Sequence, residues 1–296
     1  RPISIDEARA EMAQMLRFPV MSDAHRKILA LLGCEDDDVD IPNVTRTIES
    51  DVGLTTTILK VCSSAYYGFR GNSTDLAITF LGVEKIRSIV QTAIVFDVLA
   101  SEAVCKGEDF RMIDLWKHCV ACGVIMEEGG TRVKGRDHFI AGLLHDVGKI
   151  LLFLRFPDHF AEILRMVRED GLSMFEAEYQ LLGLCHTDVG YELARAWKLP
   201  PTIATCIAFH HAPGRALQHR RLSALVHLAD ISARMMGIGD AGDRLTPRMD
   251  EAARPLARYV MAVVERKEEI ISRIDSMMVE FIPNAQTQKE MSHDHR

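Results

Sequence analysis

The stretch Gly142-Leu143-Leu144-His145-Asp146-Val147-Gly148-Lys149 sets a histidine and a carboxylate side by side, four and three residues before a lysine. Phe139, Ile140, Leu143 and Leu144 on one side, with Val147, Ile150, Leu151, Leu152 and Leu154 on the other, read as a helix buried nearly all round. On such a helix His145, Asp146 and Lys149 converge on one pole. Ionisable groups in so dry a setting must be hydrogen-bonded, paired or bound to a metal. A metal ion would satisfy His145 and Asp146 together; a core histidine satisfied by its neighbouring aspartate is the alternative.

Outward from this stretch, apolar residues recur at helical spacing and no clean period-two alternation is found, so the expected fold class is all-α. Toward the N-terminus, helices are expected over Ile3–Leu16, Asp23–Leu32, from an Asn43 cap to Asp51, Thr55–Ser64, Asp75–Leu81 and Val83–Leu99. A helix from about Asp114 carries Leu115, Trp116, Val120 and Val124, and puts Asp114 and His118 on one face. After Pro157 two helices follow, the second opened by the capping-box pattern Ser173-Met-Phe-Glu176. Others begin at His186 and after Leu199-Pro200-Pro201, the latter ending at His210-His211; Leu222–Met236 and about Glu251–Phe281 complete the set. The expected organisation is an N-terminal helical part over 1–113, a metal-binding helical subdomain over 114–236, a C-terminal helical extension over 237–282 and a disordered tail over 283–296.

Composition bounds the function. A chain of 296 residues with 48% hydrophobic and 26% charged residues can bury a sizeable core. Its net charge of −7 argues against a broad electrostatic footprint for nucleic acid or an anionic membrane, and so against reading the short N-terminal helices as a DNA-binding helix-turn-helix. Seven cysteines without an even framework fit a reducing compartment. Neither a signal peptide nor a bilayer-length apolar run is evident, so the expected location is the cytoplasm. Opening on Arg1 rather than Met, the chain is expected to lack an upstream segment. The acidic run Glu35–Asp40 lacks the spacing and glycine of a calcium loop and reads as a solvated turn. Cys119 and Cys122 form a lone CxxC inside a helix and read as two core cysteines.

The second half places His118, His145, Asp146, His186, His210, His211 and Asp230 at helix ends or in apolar helix contexts. Five histidines and two carboxylates exceed what one metal needs. Imidazole plus carboxylate suits iron or manganese, with zinc a further option, and the donor count points to two divalent ions. Two ions bridged by a carboxylate are an apparatus for phosphoester hydrolysis, in which Asp146 would bridge and Lys149 would face the substrate phosphate. A helix-terminal, solvated Lys149 is the alternative.

His118, His145-Asp146 and Asp230 resemble the H…HD…D signature of the HD superfamily of metal-dependent phosphohydrolases. The wider chain, from about Phe18 to Pro213, resembles one branch, the HDOD (HD-related output) domain. That likeness rests on Ile58-Leu59-Lys60-Val61-Cys62-Ser63-Ser64-Ala65-Tyr66-Tyr67-Gly68, Ala77-Ile78-Thr79-Phe80-Leu81-Gly82, the Ala141–Lys149 stretch, His186-Thr-Asp-Val-Gly190, Trp197-Lys-Leu-Pro200 and His210-His211. It implies an all-helical regulatory or interaction module of bacterial signalling, of a kind that often sits beside receiver or nucleotide-turnover domains. Many such domains have lost their metal ligands, whereas here the ligand types are present. Position by position the seven residues also resemble the ligands of the HD-GYP phosphodiesterases that cleave cyclic di-GMP. Lys149 matches their phosphate-facing lysine, and Asp114 stands where some carry a glutamate for a third ion. The chain departs from them after the paired histidines, where Ala212-Pro213-Gly214-Arg215-Ala216-Leu217 replaces the Gly-Tyr-Pro loop.

Two functions are therefore expected to compete. One is a signalling module that keeps a two-metal site and offers its first half to a protein partner. The other is a metal-dependent phosphohydrolase or phosphodiesterase acting on a nucleotide or cyclic nucleotide. An iron-based oxygenase, as elsewhere in the superfamily, ranks third.

Overall fold

The computed structural model describes residues 22–32, 40–64, 67–100, 110–130, 138–243 and 245–281, and among these there is helix and no strand. The expected helix over Ile3–Leu16, most of the acidic run and the tail after Pro283 lie outside the described residues. Two compact units are present, one built from residues 110–267 and the other from 22–100 together with 268–281.

In the second of these units, α1 (Asp23–Leu32), α2 (Ile41–Glu49), α3 (Val52–Ser63) and α4 (Thr74–Leu81) precede the long α5 (Val83–Ala100). Helix α5 packs against α1, α3 and α4 and buries Ile86, Ile89, Val90, Ile94 and Leu99. The α2 cap is Asp40 rather than Asn43: the Asp40 carboxylate accepts from the Asn43 backbone N–H at 3.1 Å, which places Asn43 inside the first turn. Asp51 caps α3 in the same way through Leu54 N–H at 2.9 Å.

The other unit holds α6 (Met112–Gly129), α7 (His138–Leu144), α8 (Val147–Arg155), α9 (Pro157–Asp170), α10 (Met174–Leu182), α11 (His186–Ala196), α12 (Pro201–Phe209), α13 (Arg220–Met236) and α14 (Ala257–Val264). Helix α15 (Lys267–Phe281) follows, so the single helix expected over Glu251–Phe281 is broken into a short 3-10 turn, α14 and α15. Ser173 and Glu176 form the expected capping box at the start of α10, and left-handed Gly183 ends that helix. Helices α6 and α7 make the most extensive contact in the unit, and every residue of α7 is buried.

Two glycines bracket the His145-Asp146 pair and let backbones meet there. A Cβ on Gly142 would lie 2.6 Å from the Cys122 carbonyl carbon and oxygen, so α7 crosses α6 backbone to backbone. A Cβ on Gly148 would collide with the His186 carbonyl, so α8 crosses α11 in the same manner. The continuous helix expected through this stretch is interrupted: His145 and Asp146 form a turn between α7 and α8, with Asp146 at the N-cap of α8.

Candidate metal centre

Asp146 occupies a cap position without using it. Its carboxylate makes no capping hydrogen bond and turns inward. There Oδ2 receives the Lys149 ammonium at 2.6 Å and lies 3.3 Å from His145 Nε2, while Oδ1 lies 3.3 Å from His186 Nε2 and 3.6 Å from His210 Nε2. From α6, His118 approaches on the other side, with Nε2 3.1 Å from Asp230 Oδ1 on α13 and 4.0 Å from Asp146 Oδ2. His211 Nε2 is 3.0 Å from His186 Nε2. All seven expected ligand residues thus meet, and together with Cys122 they fall into two groups of four donors. His118, Cys122, His145 and Asp230 form one and Asp146, His186, His210 and His211 the other, with the donor atoms of each group within 4.8 Å of one another.

Ring orientation decides what these groups can bind. A carbonyl oxygen only accepts, so His145 Nδ1 must donate to Gly142 O (2.7 Å) and His210 Nδ1 to Ile207 O (2.9 Å). His186 Nδ1 is held by the Glu178 carboxylate at 2.6 Å, and the same oxygen accepts the His186 backbone N–H at 2.8 Å. Each ring therefore turns its Nε2 toward the Asp146 carboxylate in a buried site, and the neutral His210 ring presents a lone pair there, acceptor against acceptor. His145 Nε2, His210 Nε2, Asp146 Oδ1 and Asp230 Oδ2 are all buried without a hydrogen-bond partner. Buried nitrogen and oxygen donors turned toward one another, the rings fixed from behind by a carbonyl or carboxylate, are the arrangement that a cation between them relieves. The residues fit a metal.

Charge balance follows the same logic. Burial opposes ionisation of Asp146, but His145 and Lys149 hold its carboxyl well below the usual carboxylate range; Arg234 and His118 do the same for Asp230. Burial pushes His210 down to about 4, and lowers His118 and His211 as well, so these rings are neutral donors. At His145 burial again pushes the pKa down, but the charge and hydrogen bond of Asp146 together with Asp230 outweigh it and leave it above the usual imidazole value, which marks the spot where positive charge is wanted.

Lys149 is fully buried, which overturns the solvated reading. Its Nζ is hydrogen-bonded to Asp146 Oδ2 and, at 2.9 Å, to the Ala241 carbonyl of the loop after α13. The same loop is tied to Asp230 through Arg234, whose Nε meets Asp230 Oδ1 at 2.7 Å and whose Nη1 meets Asp243 Oδ1 at 2.5 Å. Asp114 stays outside the cluster: its carboxylate pairs with Arg111 at 3.4 Å and its carbonyl accepts from Asp240 N–H at 3.0 Å. Cys119 is a core cysteine as expected, whereas Cys122 belongs to a donor group.

The sequence read Cys122 only as a core cysteine and did not single out Glu178, Arg234 or His227. Cys122 was visible as an i+4 neighbour of His118. His227 donates from Nδ1 to the His210 carbonyl (2.8 Å) and accepts from Asp250 N–H (3.0 Å), so it is satisfied by backbone and steadies His210.

Residues 18–213 match the HDOD domain family. Crystal structures sharing the fold include an HDOD domain protein of unknown function from Geobacter sulfurreducens, 24% identical, TM-score 0.72, covering 95% of this chain and 96% of that one. A candidate phosphohydrolase of Shewanella amazonensis SB2B is 23% identical with TM-score 0.72, covering 92% and 98% of the two chains. A candidate metal-dependent phosphohydrolase of the same organism is 15% identical with TM-score 0.53, covering 92% and 99%. An uncharacterized protein of Treponema pallidum (strain Nichols) is 23% identical over 209 residues, 68% of this chain and 40% of that protein, so the chain spans under half the length of that relative. Among the described residues, no helix is long and apolar enough to cross a membrane.

Proposed function

The chain belongs to the HDOD family, and from that premise we propose that it is a regulatory module of signal transduction that retains two divalent metal ions, drawn from iron, manganese and zinc, as structural or sensory elements rather than for turnover. The observation that carries this reading is burial: His145, Asp146, Lys149, His186 and His210 have no exposed surface, and His118 and Asp230 have 1%. Phosphoester hydrolysis needs the substrate to reach the bound ions, and a phosphate-facing lysine must point into the space the substrate enters. Lys149 instead spends its donors on Asp146 and Ala241 inside the protein. Bound ions would supply the positive charge that the converging lone pairs lack, and the chain's residues would hold them: His118, His145 and Asp230 on one side, Asp146, His186, His210 and His211 on the other. The unit of residues 22–100 and 268–281 exposes Val52, Leu76 and Phe80, which supports a protein partner there.

A second reading is hydrolysis of a phosphorylated nucleotide, and one feature favours it. His211 is half-buried and lies against Phe175, itself 37% exposed, at a ring separation of 5.4 Å, so one edge of the donor cluster is near solvent. Two structures of this fold are also named as candidate phosphohydrolases. Elemental analysis of protein purified without a polyhistidine tag, beside a His145→Ala, Asp146→Ala control, tests both. The regulatory reading expects roughly two metal equivalents, lost in the control, and no hydrolysis of nucleotides or generic phosphodiesters with manganese, iron or zinc. Hydrolysis that the control abolishes would replace it with the second reading, and absent metal after anaerobic reconstitution would defeat both.

A further inference from the structure

We propose that Cys122 is a metal ligand, so that the two sites differ in kind: one offers two imidazoles, a thiolate and a carboxylate, the other three imidazoles and a carboxylate. The inference rests on the metal-binding reading above and deepens it. Cys122 lies one helical turn beyond His118 on α6, with Sγ 3.7 Å from His118 Nε2, and is fully buried. A contact between thiol and ring alone would account for those two atoms. It leaves His145 Nε2 and Asp230 Oδ2 buried in the same group without a hydrogen-bond partner.

A tetrahedral ion with bonds of about 2.0–2.3 Å spaces its donors roughly 3.3–3.8 Å apart. The sulfur-to-nitrogen distance already has that value, and the 4.8 Å limit on the whole group leaves only a small contraction. Backbone geometry holds the thiol in place, because α6 is pinned at Cys122 by the close crossing of Gly142. Binding a divalent cation at the sulfur displaces the thiol proton to solvent, and the cation's charge offsets the cost of a buried thiolate. Softness then separates the sites: the thiolate site favours zinc or another thiophilic ion, and the all-nitrogen-and-oxygen site accepts iron or manganese.

Cobalt(II) reconstitution of the full chain reads this out without any activity. The wild type and a Cys119→Ser variant should show thiolate-to-cobalt charge-transfer absorption in the near ultraviolet, and Cys122→Ser should lose it while keeping cobalt at the other site. If Cys122→Ser does not fold, X-ray absorption on zinc-loaded wild type decides, with one sulfur scatterer near 2.3 Å expected. Bound metal with no sulfur ligation in either experiment overturns the Cys122 assignment and leaves the metal reading intact. Failure to bind cobalt or zinc at all overturns both.

Discussion

Replacing Lys149 by Met removes one charge and keeps the stem, so it isolates what the buried ammonium does. In metal-free protein Asp146 would lose its 2.6 Å cation, and the neutral His210 ring facing it cannot take that place. Breaking a buried ion pair from one side costs about 3–5 kcal/mol. With metal bound, the ion compensates Asp146, and the remaining loss is the Ala241 carbonyl left without its donor, about 1–3 kcal/mol. For a unit of this size each kcal/mol shifts Tm by roughly 2–4 °C, so Tm should fall roughly 6–20 °C in chelated protein and about 4–8 °C less than that in loaded protein. Differential scanning calorimetry of wild type and Lys149→Met, each with chelator and with manganese, gives the four values. Equal losses with and without metal would show that Asp146 is not charge-compensated by an ion. A loss below about 1 kcal/mol in chelated protein would refute the buried pair itself.

Three further outcomes follow from local geometry. Gly148→Ala drives a methyl group into the His186 carbonyl and should cost about 3 kcal/mol or more, read by urea unfolding; a neutral result would contradict the α8–α11 crossing. Glu178→Gln keeps size but weakens the hold on His186 Nδ1, and should reduce affinity for the second metal equivalent about 10–100-fold in calorimetric titration, with unchanged affinity counting against the orienting role. Asp40→Ala removes the α2 cap and should cost about 1 kcal/mol without altering metal content; a change in metal content would contradict its assignment as a cap alone.

Much of this protein was legible along the chain, because the relevant physics is local. The 3.6-residue period marks the helices, Ser173 and Glu176 announce a cap, and histidines beside carboxylates in apolar runs name the chemistry of the site. Periodicity could not show that the helix breaks at His145-Asp146, since the apolar pattern runs straight through it. Nor could it separate Asp40 from Asn43 as a cap, or exclude Asp114, whose spacing from His118 matches that of a true neighbour. Those outcomes depend on where helices cross. The close passage of α7 over α6 at Gly142 brings His145 to His118 and Cys122, and that of α8 over α11 at Gly148 brings Asp146 to His186. Glu178 reaches His186 across the left-handed turn at Gly183, and the buried Lys149 finds its second partner in Ala241, 92 residues away. Residue types and helical periods specify which groups are available. Their burial, ring orientation and grouping into two donor sets arise from contacts between distant segments, which no local pattern encodes.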